Sequence, residues 1–449
     1  MPDKVPTGQL PAEQQPQSGT RRKFLRDSAA LAGTSLAGGG LLGASTAVAA
    51  EPLPIPDSNK YLGRGVVSVP YGKPSKFEAD ILRRNVEWLT PDTIASISFS
   101  PIQDMHGIIT PGGLHFERYH GGCPDVDPDK HLLVLHGKVE RPLKLTRDDL
   151  RRFPQHTAIH FLECPANGGM EWKGVQMDSI QFTHGMLSCS EWTGVKLSTL
   201  MEAAGVDPDA SWMLAEGGDA SAMTRSLPLP GAKDQYGKDI PDGTELLKDA
   251  MVVYAQNGEP LRPEQGHPIR LLIPGMEANV SVKWLRRLKF GDKPWVHREE
   301  NSRYTELMPD GKARQFSFYQ EGNSVITYPC PDKRIKEPGF QEIRGLAWSG
   351  RGRITHVDVS VDGGKNWREA KLMEPVLSKA LTRFTIPWEW HGEEALIVSR
   401  AVDETGYVQP TLTQLREARG TNNIYHKNSQ QVWRVMPDGE VKNVQIVNV

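Results

Sequence analysis

The chain has 449 residues, with 53 lysines and arginines against 55 aspartates and glutamates. That length accommodates two domains with a sizeable core. The balanced charge, without a basic tail or interleaved aromatic and basic residues, argues against nucleic acid as a partner. The four cysteines, Cys123, Cys164, Cys189 and Cys330, have no metal-finger spacing, and neither a Cys-x-x-Cys-His haem motif nor a glycine fingerprint for a dinucleotide is present. A redox enzyme built this way must pass its electrons to another protein.

Residues 1–50 read as an export signal. Arg21 and Arg22 precede a mild Ala/Gly/Leu stretch that ends in small residues near Ala47–Ala50. Adjacent arginines and a weakly hydrophobic core point to the twin-arginine route and a periplasmic location. No later stretch approaches eighteen apolar residues, so a soluble mature protein without a membrane anchor is expected.

A Pro-rich linker at 51–60 leads to "KFEADILRRNVEWL" (76–89), whose spacing predicts a helix ending before Pro91. Short strands and glycine turns follow. Next come a strand, a turn at Gly137, a second strand, and a short helix started by Thr146 with acids two and three positions on. "TAIHFLEC" is apolar enough to be a central strand. A helix over 197–205 takes Ser198 as its cap and Gly205 as its end. Two strands flank an Asn257-Gly258 turn. From about 340 onward, short alternating strands and turns such as Asp362-Gly363-Gly364 predict a β-sandwich of immunoglobulin type, with Trp367 facing inward. The fold class is therefore an α+β domain over 51–325 followed by an immunoglobulin-like sandwich over 326–449.

Candidate chemistry concentrates in the first domain. Arg118 and His120 are two apart in an extended run, so both side chains leave it on one face. Arginine clamps an oxyanion through parallel hydrogen bonds, and histidine adds a donor. A surface strand with an ordinary salt bridge is the plainer alternative. In "HFLECPANGG", Cys164 stands where a buried strand gives way to a loop, with Asn167 and two glycines beyond. Three readings are open for it from the residues alone: a buried free thiol, a disulfide to Cys123 or Cys189, or the ligand of a soft or high-valent metal. His267, Arg270 and Lys283 surround a glycine-containing turn and suit a phosphate or pyrophosphate.

Several segments, among them "FERYHGGCPDVDP", "HFLECPANGG", "SEWTGVKLSTLMEAAG", "VVYAQNGEPLRPEQGHPIRLLIPG", "VSVKWL" and "AWSGRGRITHVDVSVDGGKNW", run in one order from about 95 to 410. The combination resembles the sulfite oxidase family of molybdenum enzymes, and within it the exported sulfane dehydrogenase branch of bacterial sulfur oxidation. The resemblance implies a molybdopterin-binding domain followed by an immunoglobulin-like dimerisation domain. It implies molybdenum-molybdopterin as cofactor, Cys164 as the single protein ligand to the metal, and Arg118 and Trp192 beside an oxyanion pocket. It places His120, Asn167, His267, Arg270 and Lys283 around the pterin and its phosphate. A homodimer, a separate c-type cytochrome as electron acceptor, and a sulfur-carrier protein presenting the substrate are the implied partners. A free-standing sulfite dehydrogenase and a non-catalytic structural subunit are the alternatives. One departure bears on substrate. Sulfite-oxidising members carry Cys-Ala-Gly-Asn-Arg-Arg where this chain has Cys-Pro-Ala-Asn-Gly-Gly, and Met223 stands in the place of a pocket tyrosine.

Overall fold

The computed structural model describes Pro56, Asp57 and residues 74–446 apart from 91, 93, 235, 239, 241–246 and 316. The expected export signal, and most of the linker after it, lie outside the described residues. From Pro74 onward the chain forms one compact unit. No helix among the described residues is long and apolar enough to cross a membrane.

The first part of this unit holds two five-stranded sheets. One runs antiparallel through Gln155–Glu163, Leu187–Lys196, Met251–Gln256 and Glu259–Pro260, with Arg270–Leu272 also paired to Met251–Gln256. The other orders Leu143–Leu145, Leu133–Gly137, Leu285–Gly291, Trp212–Gly217 and Thr224–Pro228, and its one parallel pair joins Leu133–Gly137 to Leu285–Gly291. Helices are few and short, which makes this part α+β. The last part is a sandwich of a four-stranded and a five-stranded antiparallel sheet, drawn from strands between Asn323 and Val444.

Alternation along Gln155–Glu163 positions the site. Successive side chains of a strand face opposite ways. Leu162 and Cys164 turn to a small apolar cluster with Phe116, Trp192 and Leu272. Phe161 turns instead to a cluster dominated by the sandwich, with Val325, Trp348 and Phe384. On the neighbouring strand, Leu187 and Cys189 also join the sandwich cluster. The two parts thus share one core, and burial of side chains such as Phe161 and Leu187 contributes roughly 1.5–3 kcal/mol each to holding them together.

Local expectations fare unevenly. Thr146 caps Arg147–Leu150 through a reciprocal box with Asp149, and Gly205 ends Leu197–Ala204 at φ 63°. The cap of that helix is Lys196, without a side-chain bond, rather than Ser198. The Asn257-Gly258 turn is left-handed at both residues, but it leads into the two-residue strand Glu259–Pro260, while Arg270–Leu272 pairs with the same central strand further along. The helix expected over 76–89 is absent: only single turns form at Lys76–Glu78 and Glu87–Leu89. Its apolar residues are divided: Val86 is buried in the small apolar cluster and Arg84 bridges to Phe99, while Phe77, Leu82 and Trp88 are exposed, and a short helix without a continuous packed face is marginal in water. Trp367 is half-buried beneath the Arg400 guanidinium, 4.3 Å from its ring, rather than in the sandwich core.

Candidate active site

A cavity of about 70 Å³ opens where Cys164 leaves its strand. Arg118, His120, Cys164, Arg270 and Lys283 all line it, as do His115, Asn279 and Tyr304. Residues spread over more than 180 positions of sequence therefore converge on one space.

The cysteine loop is held rigidly. Cys164 donates its N–H to the Met186 carbonyl at 3.0 Å, and Asn167 donates its own to the Cys164 carbonyl at 2.9 Å. Glu163, on the opposite face of the strand, accepts from Asn167 Nδ2 at 2.9 Å and from Trp348 Nε1 at 2.8 Å. Asn167 Oδ1 accepts from the Met186 N–H at 3.1 Å. The amide of Asn167 is thereby spent on the loop and does not line the cavity. Burial pushes the Cys164 thiol up to about 11, against the pull of Arg118. All four cysteines are free, so the disulfide reading falls away, and Cys189 is packed in the shared core.

Among the described residues the cations have no carboxylate partner. Arg270, 3% exposed, donates to the carbonyls of Gln265 at 3.1 Å and Ser281 at 2.8 Å. Lys283 Nζ donates to the carbonyls of Arg118 and Glu264, each at 3.1 Å. Arg118 donates to the carbonyls of Tyr119 and Ser96. Burial lowers Arg270 to about 9 and, with help from Arg270, Lys283 to about 7. Buried charge without a counter-ion is costly, so this arrangement calls for an anion.

Trp192 does not line the cavity. It is fully buried, its indole donates to the His160 carbonyl at 3.1 Å, and its ring lies 5.3 Å from the Arg270 guanidinium. It supports a cavity residue from behind. His267 also stands apart from the lining, half-buried before a cis Pro268, where Arg147 and His131 act on it.

Among the lining residues that escaped the sequence reading are His115 and Tyr304. His115 is 1% exposed, and burial lowers it to about 3, leaving a neutral ring. Its Nδ1 lies 3.0 Å from the Phe116 carbonyl and must carry the proton, so Nε2 is a buried acceptor with no partner. Tyr304 brings a hydroxyl 2.8 Å from His120 Nε2. Burial raises that phenol well above its ordinary range, which keeps it protonated. Met223 does line the cavity, but a tyrosine is present after all, from a different loop. Its signal in "SRYTEL" was weak because a left-handed φ of 51° at Tyr304, not strand periodicity, aims the ring. Arg225, fully buried between Glu277 and Glu300, lies 5.0 Å from the same ring.

These residues fit a molybdenum-pterin group. No cluster of three or more His, Cys, Asp or Glu side chains suited to a metal occurs among the described residues, so a metal on Cys164 must bring its other ligands with it. The uncompensated Arg270 and Lys283 suit a phosphorylated cofactor, and the orphaned His115 Nε2 suits a donor on its edge.

Comparison with known proteins agrees. Residues 120–298 match the oxidoreductase molybdopterin binding domain, and residues 317–432 match the Mo-co oxidoreductase dimerisation domain. Chicken (Gallus gallus) sulfite oxidase is 32% identical over 320 residues, covering 67% of this chain and 68% of that protein. The mouse (Mus musculus) mitochondrial enzyme is 32% identical over 358 residues, and the NADH nitrate reductase of Ulva prolifera is 29% identical over 350. The alignments cover 73% and 71% of this chain but only 62% and 40% of those two longer proteins. The crystal structure of the sulfane dehydrogenase SoxCD from Paracoccus pantotrophus matches with TM-score 0.82 and 48% identity, covering 87% of this chain and 97% of that one. The chain is a molybdopterin-dependent enzyme, and it belongs to the sulfite oxidase family of molybdenum oxidoreductases.

Proposed function

We propose that this enzyme oxidises the sulfane sulfur of a carrier-bound substrate in the periplasm, after export by the twin-arginine route, and passes the electrons to a c-type cytochrome. The observation that carries the reading is the Cys164 thiol on a cavity whose cations, Arg118, Arg270 and Lys283, have no carboxylate partner among the described residues. Likeness to the Paracoccus sulfane dehydrogenase supports the substrate, as does the neutral Gly168-Gly169 pair. The matched dimerisation domain supports a homodimer, and the absence of a Cys-x-x-Cys-His motif supports a separate haem protein.

When bound, the cofactor supplies a two-electron redox centre that delivers oxygen from water to sulfur. Cys164 would hold the metal. Arg118 neutralises an anionic sulfur group, a contribution of roughly 2–4 kcal/mol in a site closed to water. His120 is neutral, because burial and then Arg118 lower it to about 3, and it fixes the Tyr304 hydroxyl at the cavity wall. Lys283 and Arg270 hold the cofactor's phosphate, with Trp192 supporting Arg270. Asn167 and His267, expected around the pterin and its phosphate, lie outside the cavity lining, and the Asn167 amide positions the cysteine loop instead.

A free-standing sulfite dehydrogenase is the second reading, favoured by the cationic cavity. Metal analysis and steady-state turnover with sulfite and with a sulfane-loaded carrier protein separate the possibilities, with cytochrome c as acceptor. About one molybdenum per chain and rapid turnover of the loaded carrier support the proposal. Rapid turnover of sulfite alone overturns the substrate, and a folded protein that takes up no molybdenum overturns the enzyme. Cys164→Ser should keep its fold and lose turnover.

A further inference from the structure

Two polar lining residues, Asn279 and Tyr304, are held from behind by a network centred on one carboxylate, Glu277. Glu277 is 1% exposed and accepts on both oxygens. Its Oε2 takes Asn279 Nδ2 at 2.8 Å and Arg225 Nη1 at 3.3 Å, and its Oε1 takes His426 Nε2 at 2.8 Å. An ionised carboxylate only accepts, so Nε2 is the protonated nitrogen of His426 in that contact. Arg225 also bonds Asn279 Oδ1, pairs with Glu300 at 3.1 Å, and lies 5.0 Å from the centre of the Tyr304 ring.

The same carboxylate reaches the loop of the metal ligand. His426 donates its N–H to the carbonyl of Pro165, the residue after Cys164, at 2.7 Å. A parallel backbone bridge joins Glu277 to Glu163, the residue before Cys164. Glu277, Arg225 and His426 do not themselves line the cavity. Buried ionic groups add little net stability over a packed apolar pair, whereas fixing one geometry is a use they serve well. Here the geometry fixed is that of two cavity residues against the cysteine loop.

We propose that Glu277 is a positioning residue of the active site, holding Asn279 and Tyr304 in place relative to the Cys164 loop, with Arg225 and His426 as its two arms. The inference rests on Cys164 as the molybdenum ligand and not on which sulfur compound is oxidised. Displacement of a reacting arrangement by an ångström lowers rates by up to about a hundredfold, so a residue that touches neither substrate nor cofactor can still govern turnover.

The test uses the molybdenum-loaded enzyme, with turnover expressed per molybdenum and measured with whichever of sulfite or the sulfane-loaded carrier is oxidised. Glu277→Gln keeps the volume but cannot accept on both sides. Its kcat should fall ~10-fold with KM little changed, the scale of an outer partner of a metal site. In a Tyr304→Phe background the same substitution should lower kcat further by no more than ~2-fold, the ordinary scatter of additivity. His426→Leu, which removes the donor, should match Glu277→Gln, and His426→Gln, which returns one, should recover most of the loss. The paramagnetic molybdenum signal of partly reduced enzyme should shift in Glu277→Gln and His426→Leu, a readout that holds even if neither sulfur compound is the substrate. Asp358→Asn, on the sandwich strand Ile354–Ser360 where Asp358 pairs with Arg400 at 2.7 Å, should match wild type in both measurements. An unaltered kcat in Glu277→Gln, an equal proportional loss with and without the Tyr304 hydroxyl, equal losses in the two His426 variants, or an unshifted molybdenum signal would overturn the proposal.

Discussion

The Tyr304 hydroxyl and His120 Nε2 stand 2.8 Å apart across the cavity that holds Cys164. Neither residue adjoins the other in sequence, and each is fixed from behind. Tyr304 is gripped between Arg225, 5.0 Å from its ring, and Tyr425. Arg225 is in turn tied to Glu277 and Glu300. The contact therefore tests whether the cavity is catalytic.

Tyr304→Phe keeps the ring between its two neighbours and removes only the hydroxyl. Turnover, measured as kcat/KM with the sulfur substrate, should fall ~10–100-fold, the scale of one positioned polar group. The thermal midpoint should change little. A large loss of stability with unaltered turnover would assign the pair to packing alone.

Gly169 is expected to tolerate no side chain. Gly169→Ala places its methyl against the Ile424 carbonyl, and relief requires a backbone shift costing ~1–3 kcal/mol. Urea unfolding should show that loss. An arginine at this position should cost more and should displace the Asn423–His426 turn from the cysteine loop.

The two parts of the reasoning that reached this site had different reach. Period-two alternation pairs Arg118 with His120 and residue chemistry marks Cys164, Arg270 and Lys283 as candidates, but the family resemblance assigned their roles; all five line one cavity. Trp192 and Asn167 carry the right chemistry, but their polar atoms are spent on His160 and on Glu163 and Met186. Hydrogen-bond commitments of that kind are not encoded in spacing. Tyr304 depends on a left-handed backbone and on packing from the second domain, both tertiary facts. The helix expected over 76–89 does not form for a related reason: its pattern is helical, but Arg84 pairs with Phe99 and Val86 packs beside it, contacts that draw the segment out of a helix.

Lys283 should make the cofactor-free protein more stable in alkali. Burial lowers its folded pKa to about 7, below an unfolded value near 10.4. Between these values the unfolded chain binds a proton the folded chain lacks, so stability rises with pH across that window. From pH 7 to 9 the gain is about 2 kcal/mol. The urea midpoint of Lys283→Met should lack this rise, and a phosphorylated cofactor should suppress it in wild type by restoring the charge.

His184 works in the acid range. It is 2% exposed, its Nδ1 lies 2.9 Å from the Thr183 hydroxyl, and burial lowers its pKa to about 3. The folded state holds it neutral, while the unfolded chain protonates it below about 6.5. Its contribution is therefore complete above that value and is lost as pH falls toward 3, amounting to about 2 kcal/mol by pH 5. Unfolding of His184→Asn at pH 7 and pH 5 should show a correspondingly shallower decline.

Phe161, Ile180, Leu187 and Cys189 sit in the same cluster as Val325, Trp348 and Trp433. Without the sandwich those four side chains would face water, with Phe161 on the strand that leads directly to Cys164. The back of the strand that leads to Cys164 is thus covered by residues of the sandwich. The loop after Cys164 takes its shape from the same distant segments, since the His426 N–H donates to the Pro165 carbonyl and the Trp348 indole to Glu163.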